Sequence, residues 1–259
     1  MDIIGITISV NYDDILNYII RQNTKFLKEW VIVTSTDDKA TISLINEAKL
    51  NNITILYFDD FKRDAVFNKG GALRFGQEYI IKKYKKRKNI AVLILDSDIY
   101  LPDRFQKIIT NLDIKEDTIY GCPIRHDYHK IGDFLKSINK HIDYNGEAII
   151  GFFQLYKLSD KYKYNNSYNC SSCDNDFTGL FSNRYFIEKL SVSHLGRAFI
   201  NWDGRNKTED DIRDPPKCKS NGCQYYIHSD KTNNGGNYCC SGCVRRGIHG
   251  PLCEKNPVL

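Results

Sequence analysis

Residues 91–102 read AVLILDSDIYLP. The five apolar residues at 91–95 are too few for a free-standing helix. They are branched enough to form a strand buried on both faces, as in a parallel sheet. That strand runs into two carboxylates, Asp96 and Asp98, at its carboxyl end, where open α/β sheets place their ligands. Two hard oxygen ligands at such a point suit Mg²⁺ or Mn²⁺ holding a diphosphate. Asp and Ser after a strand also serve as an ordinary turn or helix start. Pro102 is well placed to open a helix over 103–111.

Working back from that strand, 3–10 reads as a first strand, and Ile15, Leu16, Ile19 and Ile20 recur at helical spacing in a helix ending near Asn23. WVIVT (30–34) is a second buried strand, Thr36 and Asp37 can cap a helix over 39–50, and ITILYF (53–58) is a third strand. This alternation is the pattern of a mononucleotide-binding half-sheet with right-handed crossovers. NKGGALRFGQEYI, from Asn68, opens a helix running to Tyr84. Gly70 and Gly71 permit close backbone approach there. Lys69 and Arg74 stand near the start of that helix, within reach of a phosphate, or as incidental surface charges.

Working forward, 118–123 and 148–158 read as further strands, with Gly146 and Gly151 beside the second as the floor of an acceptor pocket. The mixed, charged interval 125–141 reads as a surface helix or loop. CSSCDNDFTGLF (170–181) carries Asp174 and Asp176 just ahead of a helix. A second acidic site there can take a proton from an attacking hydroxyl, or simply cap the helix. His194 lies in VSHLG, as a ligand or an ordinary core or surface histidine. NWDGR (201–205) offers Trp202 to stack on a sugar face and Arg205 to meet phosphate, or both as packing and surface residues.

Composition narrows the partners. The net charge is +5, and much of it sits in KKYKKRK at 82–88, which reads as a solvated helix end, so no nucleic-acid partner is expected. No stretch reaches the apolar length of a membrane span. MDIIGITISV lacks the basic start of a signal peptide, so a cytoplasmic location is expected, with the nine cysteines reduced or metal-bound.

In this order, ITISVNYDD, WVIVTSTDD, FNKGGAL, LDSDIYLP, CDNDF and SHLG, spread over about residues 3–205, resemble the GT-A glycosyltransferases. The resemblance implies a Rossmann-like α/β domain with a mixed, mostly parallel sheet. It implies that Asp96 and Asp98 form the Asp-x-Asp motif, with Asp98 the firmer metal ligand, and that His194 completes the metal shell. Asp37 and Asp59 or Asp60 would lie near the nucleotide. Asp174 matches the catalytic base of inverting members, Asp176 competes for that role, and Cys173 stands where the family often has a second acid. The implied activity is transfer of a sugar from a nucleotide-sugar donor, UDP-sugar first, to a hydroxyl of a glycan, protein or small molecule, with Mn²⁺ or Mg²⁺. The rival readings are a non-catalytic carbohydrate-binding or assembly protein and a sugar-phosphate nucleotidyltransferase. Against the latter, no glycine-rich phosphate loop follows the first strand.

The expected organisation is a GT-A-like domain over 1–205, a linker over 206–217 and a small cysteine-rich module over 218–259. Cys218-x4-Cys223 and Cys240-x2-Cys243 are candidate halves of a structural Zn²⁺ site, with Cys239, His249 or Cys253 as substitutes. Disulfides are the alternative staple.

Overall fold

The computed structural model describes residues 1–63, 66–128, 131–138, 141–146, 148–166, 170–196 and 205. Its first half alternates strand and helix as the hydrophobic periods require: β1 (Asp2–Ile8), α1 (Asp13–Asn23), β2 (Glu29–Thr34), α2 (Lys39–Ala48) and β3 (Ile53–Tyr57). A two-residue hairpin, β4 (Lys62–Arg63) and β5 (Val66–Phe67), leads into α3 (Lys69–Tyr84) and then β6 (Ile90–Leu95). Next come β7 (Ile99–Tyr100), α4 (Phe105–Thr110), β8 (Thr118–Gly121), β9 (Ile124–Tyr128), α5 (Ile131–Lys136) and β10 (His141–Asn145). The described elements end with β11 (Phe153–Lys157), α6 (Cys170–Gly179), β12 (Asn183–Phe186) and β13 (Ser191–Leu195).

The larger sheet has the order β12-β8-β11-β6-β1-β2-β3. β6, β1, β2 and β3 are parallel, β11 runs antiparallel to both β6 and β8, and β12 is parallel to β8. The α/β class and the mixed, mostly parallel sheet are therefore as expected. β6 is central and all six of its residues are buried. Its side chains alternate between two cores, as a pleated strand dictates. Ala91, Leu93 and Leu95 pack with Leu16, Ile19 and Ile20 of α1, while Val92 and Ile94 pack with Leu73 and Ile80 of α3 and Phe177 of α6.

A second sheet, β10-β9-β13-β7, stands apart from the first. The chain passes between them several times, and in the step from β6 to β7 the crossing is made by Asp96, Ser97 and Asp98, a short joint between the sheets. A turn closes the joint, with Ile99 N donating to Asp96 O, and Leu195 N of β13 donates to Asp98 O at 2.8 Å.

Several boundaries differ from the sequence reading. The interval 125–141 is not a surface helix or loop throughout, since it contains most of β9, all of α5 and the start of β10. The strand expected over 148–158 is confined to β11, and the helix after Pro102 is confined to α4, with Pro102 O accepting from Phe105 N at 2.8 Å. Asp38, not Thr36 or Asp37, caps α2, accepting from Thr41 N at 3.1 Å. Contacts divide the chain into two units, Met1–Asn206 and Lys207–Leu259, and every described residue belongs to the first. Trp202 and the cysteines Cys218, Cys223, Cys240, Cys243 and Cys253 lie outside the described residues. No described helix is long and apolar enough to cross a membrane.

At the opposite end of β2 from the joint, Glu29 is buried and accepts from Lys83 Nζ at 2.8 Å, Thr54 Oγ1 at 2.5 Å and the Tyr84 hydroxyl. Burial pushes its carboxyl upward, but the hydrogen bonds from Lys83, Thr54 and Tyr84 outweigh it and leave Glu29 below its ordinary 4.5. A lowered folded pKa stabilises the protein above the unfolded value, and that contribution is lost as pH falls through the folded one. Melting temperatures taken between about pH 3 and pH 7 are expected to fall on the acid side. Glu29→Gln is expected to flatten that part of the profile.

Candidate active site

The site gathers at the joint between the two sheets. Asp96 follows β6, and Lys69, the first residue of α3, reaches its Oδ1 at 3.0 Å. The same ammonium lies 3.2 Å from Asp174 Oδ2. Lys69 is held there because Asn68, fully buried, caps α3 by accepting from Gly71 N at 2.8 Å. Glycine is needed at 71, where a Cβ would come within 2.6 Å of the Asn68 and Asn166 side chains.

Asp174 sits within α6, in the middle of the helix rather than ahead of it. Its Oδ1 accepts from the Tyr164 hydroxyl at 2.9 Å, and that hydroxyl also lies against Gln154 Oε1. Tyr164 is fully buried and stacks on Phe177 with ring centroids 4.2 Å apart. On the other side the carboxylate lies directly on Gly151, where an added Cβ would approach Asp174 Oδ2 to 2.2 Å. The glycine expected in an acceptor-pocket floor is thus in contact with the expected base. Asp176 is exposed, since residues two apart on a helix point to different faces. The structure separates the two acids and brings Asp174 alone to the site.

Asp98, the other end of the joint, is buried with His194, Asp127 and Arg125. Strand register explains the grouping: His194 on β13 pairs with Asp127 of β9 on one side and with Ile99, next to Asp98, on the other. His194 Nε2 lies 3.2 Å from Asp98 Oδ2 and Nδ1 lies 3.0 Å from Asp127 Oδ1. The Nδ1 contact is poorly aligned for a hydrogen bond and acts through charge. Arg125 clamps Asp127 through Nε and Nη2 at 2.8 and 3.0 Å. Burial pushes the His194 imidazole down, but the Asp98 and Asp127 carboxylates outweigh it and bring it up to about 9. Both ring nitrogens thus face carboxylate oxygens, Nε2 toward the proposed donor site and Nδ1 away from it. Among the described residues no group of three or more His, Cys, Asp and Glu side chains has metal-holding geometry.

The other sequence candidates make contacts of their own. Arg74 is exposed on α3 and pairs with Glu78 one turn on, not with a site group. Arg205 is buried, with Nη1 and Nη2 at 2.5 and 2.8 Å from the two oxygens of Asp14 and Nη1 also donating to Asn11 O. It closes the loop after β1 and its charge is already answered by a carboxylate. Asp37 is exposed, Asp59 is exposed and accepts from Thr36 Oγ1 at 2.7 Å, and Asp60 O accepts from Asn68 Nδ2 at 3.2 Å. Arg125, Asp127, Gln154 and Tyr164 carry no signal in the sequence, since no spacing motif joins them to the acids.

A divalent cation fits this arrangement on two grounds. Asp98 Oδ1 is buried and has no hydrogen-bond partner, and a buried orphan acceptor is costly unless something meets it. Four carboxylates, Asp96, Asp98, Asp127 and Asp174, also face three cations, Lys69, Arg125 and His194. Mg²⁺-type sites use one or two carboxylates and take their remaining oxygens from substrate phosphates and water, so Asp96 and Asp98 are enough.

No protein-family model matches the chain, and no curated protein matches it. Among solved structures, a 4-diphosphocytidyl-2C-methyl-D-erythritol synthase is similar at 10% identity and a TM-score of 0.43, over 71% of this chain and 87% of that one. HddC from Yersinia pseudotuberculosis is similar at 15% identity and a TM-score of 0.41, over 75% and 93%. Glucosyl-3-phosphoglycerate synthase from Mycobacterium tuberculosis, in complex with phosphoglyceric acid, is similar at 11% identity and a TM-score of 0.39, over 82% and 74%. At these scores the likeness assigns no chemistry, which rests on the residues above.

Proposed function

We propose that the chain is a glycosyltransferase that moves a sugar from a nucleotide-sugar donor, a UDP-sugar first, to a hydroxyl acceptor with Mn²⁺ or Mg²⁺. The observation that carries this reading is the convergence of Asp96, Asp98 and Asp174 on one joint, with Asp98 Oδ1 unanswered and Lys69 bridging the other two. When bound, the divalent cation neutralises the departing diphosphate. Asp98 Oδ1 and Asp96 would hold that cation. His194 holds Asp98 Oδ2 and so fixes the direction in which Oδ1 points.

Asp174 takes the proton of the acceptor hydroxyl as its oxygen attacks the anomeric carbon. The bond from that carbon to the diphosphate breaks, and the nucleoside diphosphate leaves with the electron pair. Tyr164 and Lys69 hold one Asp174 oxygen each, which orients the carboxylate before the acceptor arrives. Gly151 keeps the space beside it free of a side chain. One base acting in line with the leaving group implies inversion at the anomeric carbon.

The products separate this reading from its rivals. Incubation of the full chain with Mn²⁺ and UDP- or GDP-sugars is expected to release nucleoside diphosphate. Release of pyrophosphate from a nucleoside triphosphate and a sugar phosphate would make the chain a nucleotidyltransferase instead, and neither product would favour a sugar-binding role.

A further inference from the structure

Asp127, on β9, is fully buried and tied by two contacts to Arg125. A buried ion pair is weak evidence for stability, because the desolvation of two charges offsets much of their attraction. This pair has a further neighbour. Asp127 Oδ1 is shared between Arg125 Nε and His194 Nδ1, and the far side of that ring meets Asp98 Oδ2. Arg125 is itself braced, with its guanidinium 5.2 Å above the buried Phe152 ring. Phe152 O in turn accepts from Asp96 N at 3.4 Å. The chain of contacts thus returns to the joint from the other side.

The two oxygens of a free aspartate are interchangeable by rotation about its last torsion, which is a broad and soft one. In this site they are not. One is taken by His194 and the other is the buried oxygen without a partner. That asymmetry depends on the imidazole staying where it is, and Asp127 faces its other nitrogen.

We propose that Asp127, clamped by Arg125, is a positioning residue that fixes His194 against Asp98 Oδ2 and thereby presents Asp98 Oδ1 to the donor's divalent cation. The inference rests on the donor-site reading above. Groups that orient metal-binding side chains from behind typically govern affinity by about 10–100-fold. Neutralising Asp127 frees the ring, and Asp98 then divides its time between orientations.

The test is a titration of the full chain with Mn²⁺ alone, free ion being counted by electron paramagnetic resonance, beside a thermal melt without metal. Asp127→Asn is expected to weaken Mn²⁺ about 10–100-fold. Because Asp127→Asn removes the carboxylate that Arg125 clamps, the double variant Arg125→Gln/Asp127→Asn is measured with it. It removes both charges, and is expected to melt close to the parent while still binding Mn²⁺ weakly. A purely structural role would move the melt and leave the metal affinity of the folded chain alone. Asp98→Asn separates the two ideas. If it loses Mn²⁺ while both Asp127 variants bind like the parent, the positioning role is wrong and the donor site stands. If Asp98→Asn itself binds Mn²⁺ like the parent, the donor-site reading falls and this inference with it.

Discussion

Asp174→Asn is expected to bind the nucleotide donor as the parent does and to transfer sugar about 10²–10⁴-fold more slowly, the span that a positioned general base contributes. Asparagine keeps the shape of the side chain and an oxygen to accept from Tyr164. It cannot take a proton from an acceptor. The neighbouring groups survive the change, because Lys69 retains Asp96 at 3.0 Å and Tyr164 retains its contact with Gln154. The loss should therefore fall on kcat, read from the rate of nucleoside diphosphate release at saturating donor. An unchanged kcat would exclude Asp174 as the base. Asp176→Asn, on the exposed face of α6, is expected to leave that rate where it is.

Gly151→Ala is expected to cost about a hundredfold in the same assay, the scale of a misplacement of about 1 Å at a reacting group. A methyl at 151 would lie 2.2 Å from Asp174 Oδ2 and 2.5 Å from Oδ1, far inside van der Waals contact. Asp174 belongs to a helix packed through Phe177 into the core. The helix cannot retreat cheaply, so the carboxylate must turn away from Lys69 and Tyr164. Donor affinity, set on the other side of the joint, is expected to stay within a few-fold. A parent-like kcat would mean that the carboxylate has room to work in another orientation.

The parallel half of the sheet was legible because its strands are short apolar runs and its helices carry one apolar stripe, and both patterns follow from burial alone. The acidic joint was legible for the same reason: a doubly buried strand that stops at Asp96 must surface at a strand end. β9 was not. Its residues, IRHDY, look like solvent-facing chain, yet Arg125 and Asp127 are buried. They satisfy each other and His194 across two strands, a cancellation visible only once β9 and β13 are neighbours.

The sequence leaves Asp176 in competition with Asp174 for a different reason. The choice depends on helical phase, and the two acids read as lying just ahead of a helix, whereas both fall inside α6. Arg205 reads as a phosphate contact in the sequence because Asp14, its partner, lies 191 positions away in the chain. Tyr164 and Gln154 carry no motif, and their role follows from lying against Asp174.

The central claim is that Asp98 anchors a cation-dependent nucleotide site. Calorimetric titration of the full chain with UDP and with GDP, each with and without Mn²⁺, and again on Asp98→Asn, tests it most directly. One nucleotide is expected to bind the parent only with Mn²⁺, and to bind Asp98→Asn at least about tenfold more weakly, a loss of about 1.4 kcal/mol or more. Binding that ignored both the metal and the substitution would contradict the account.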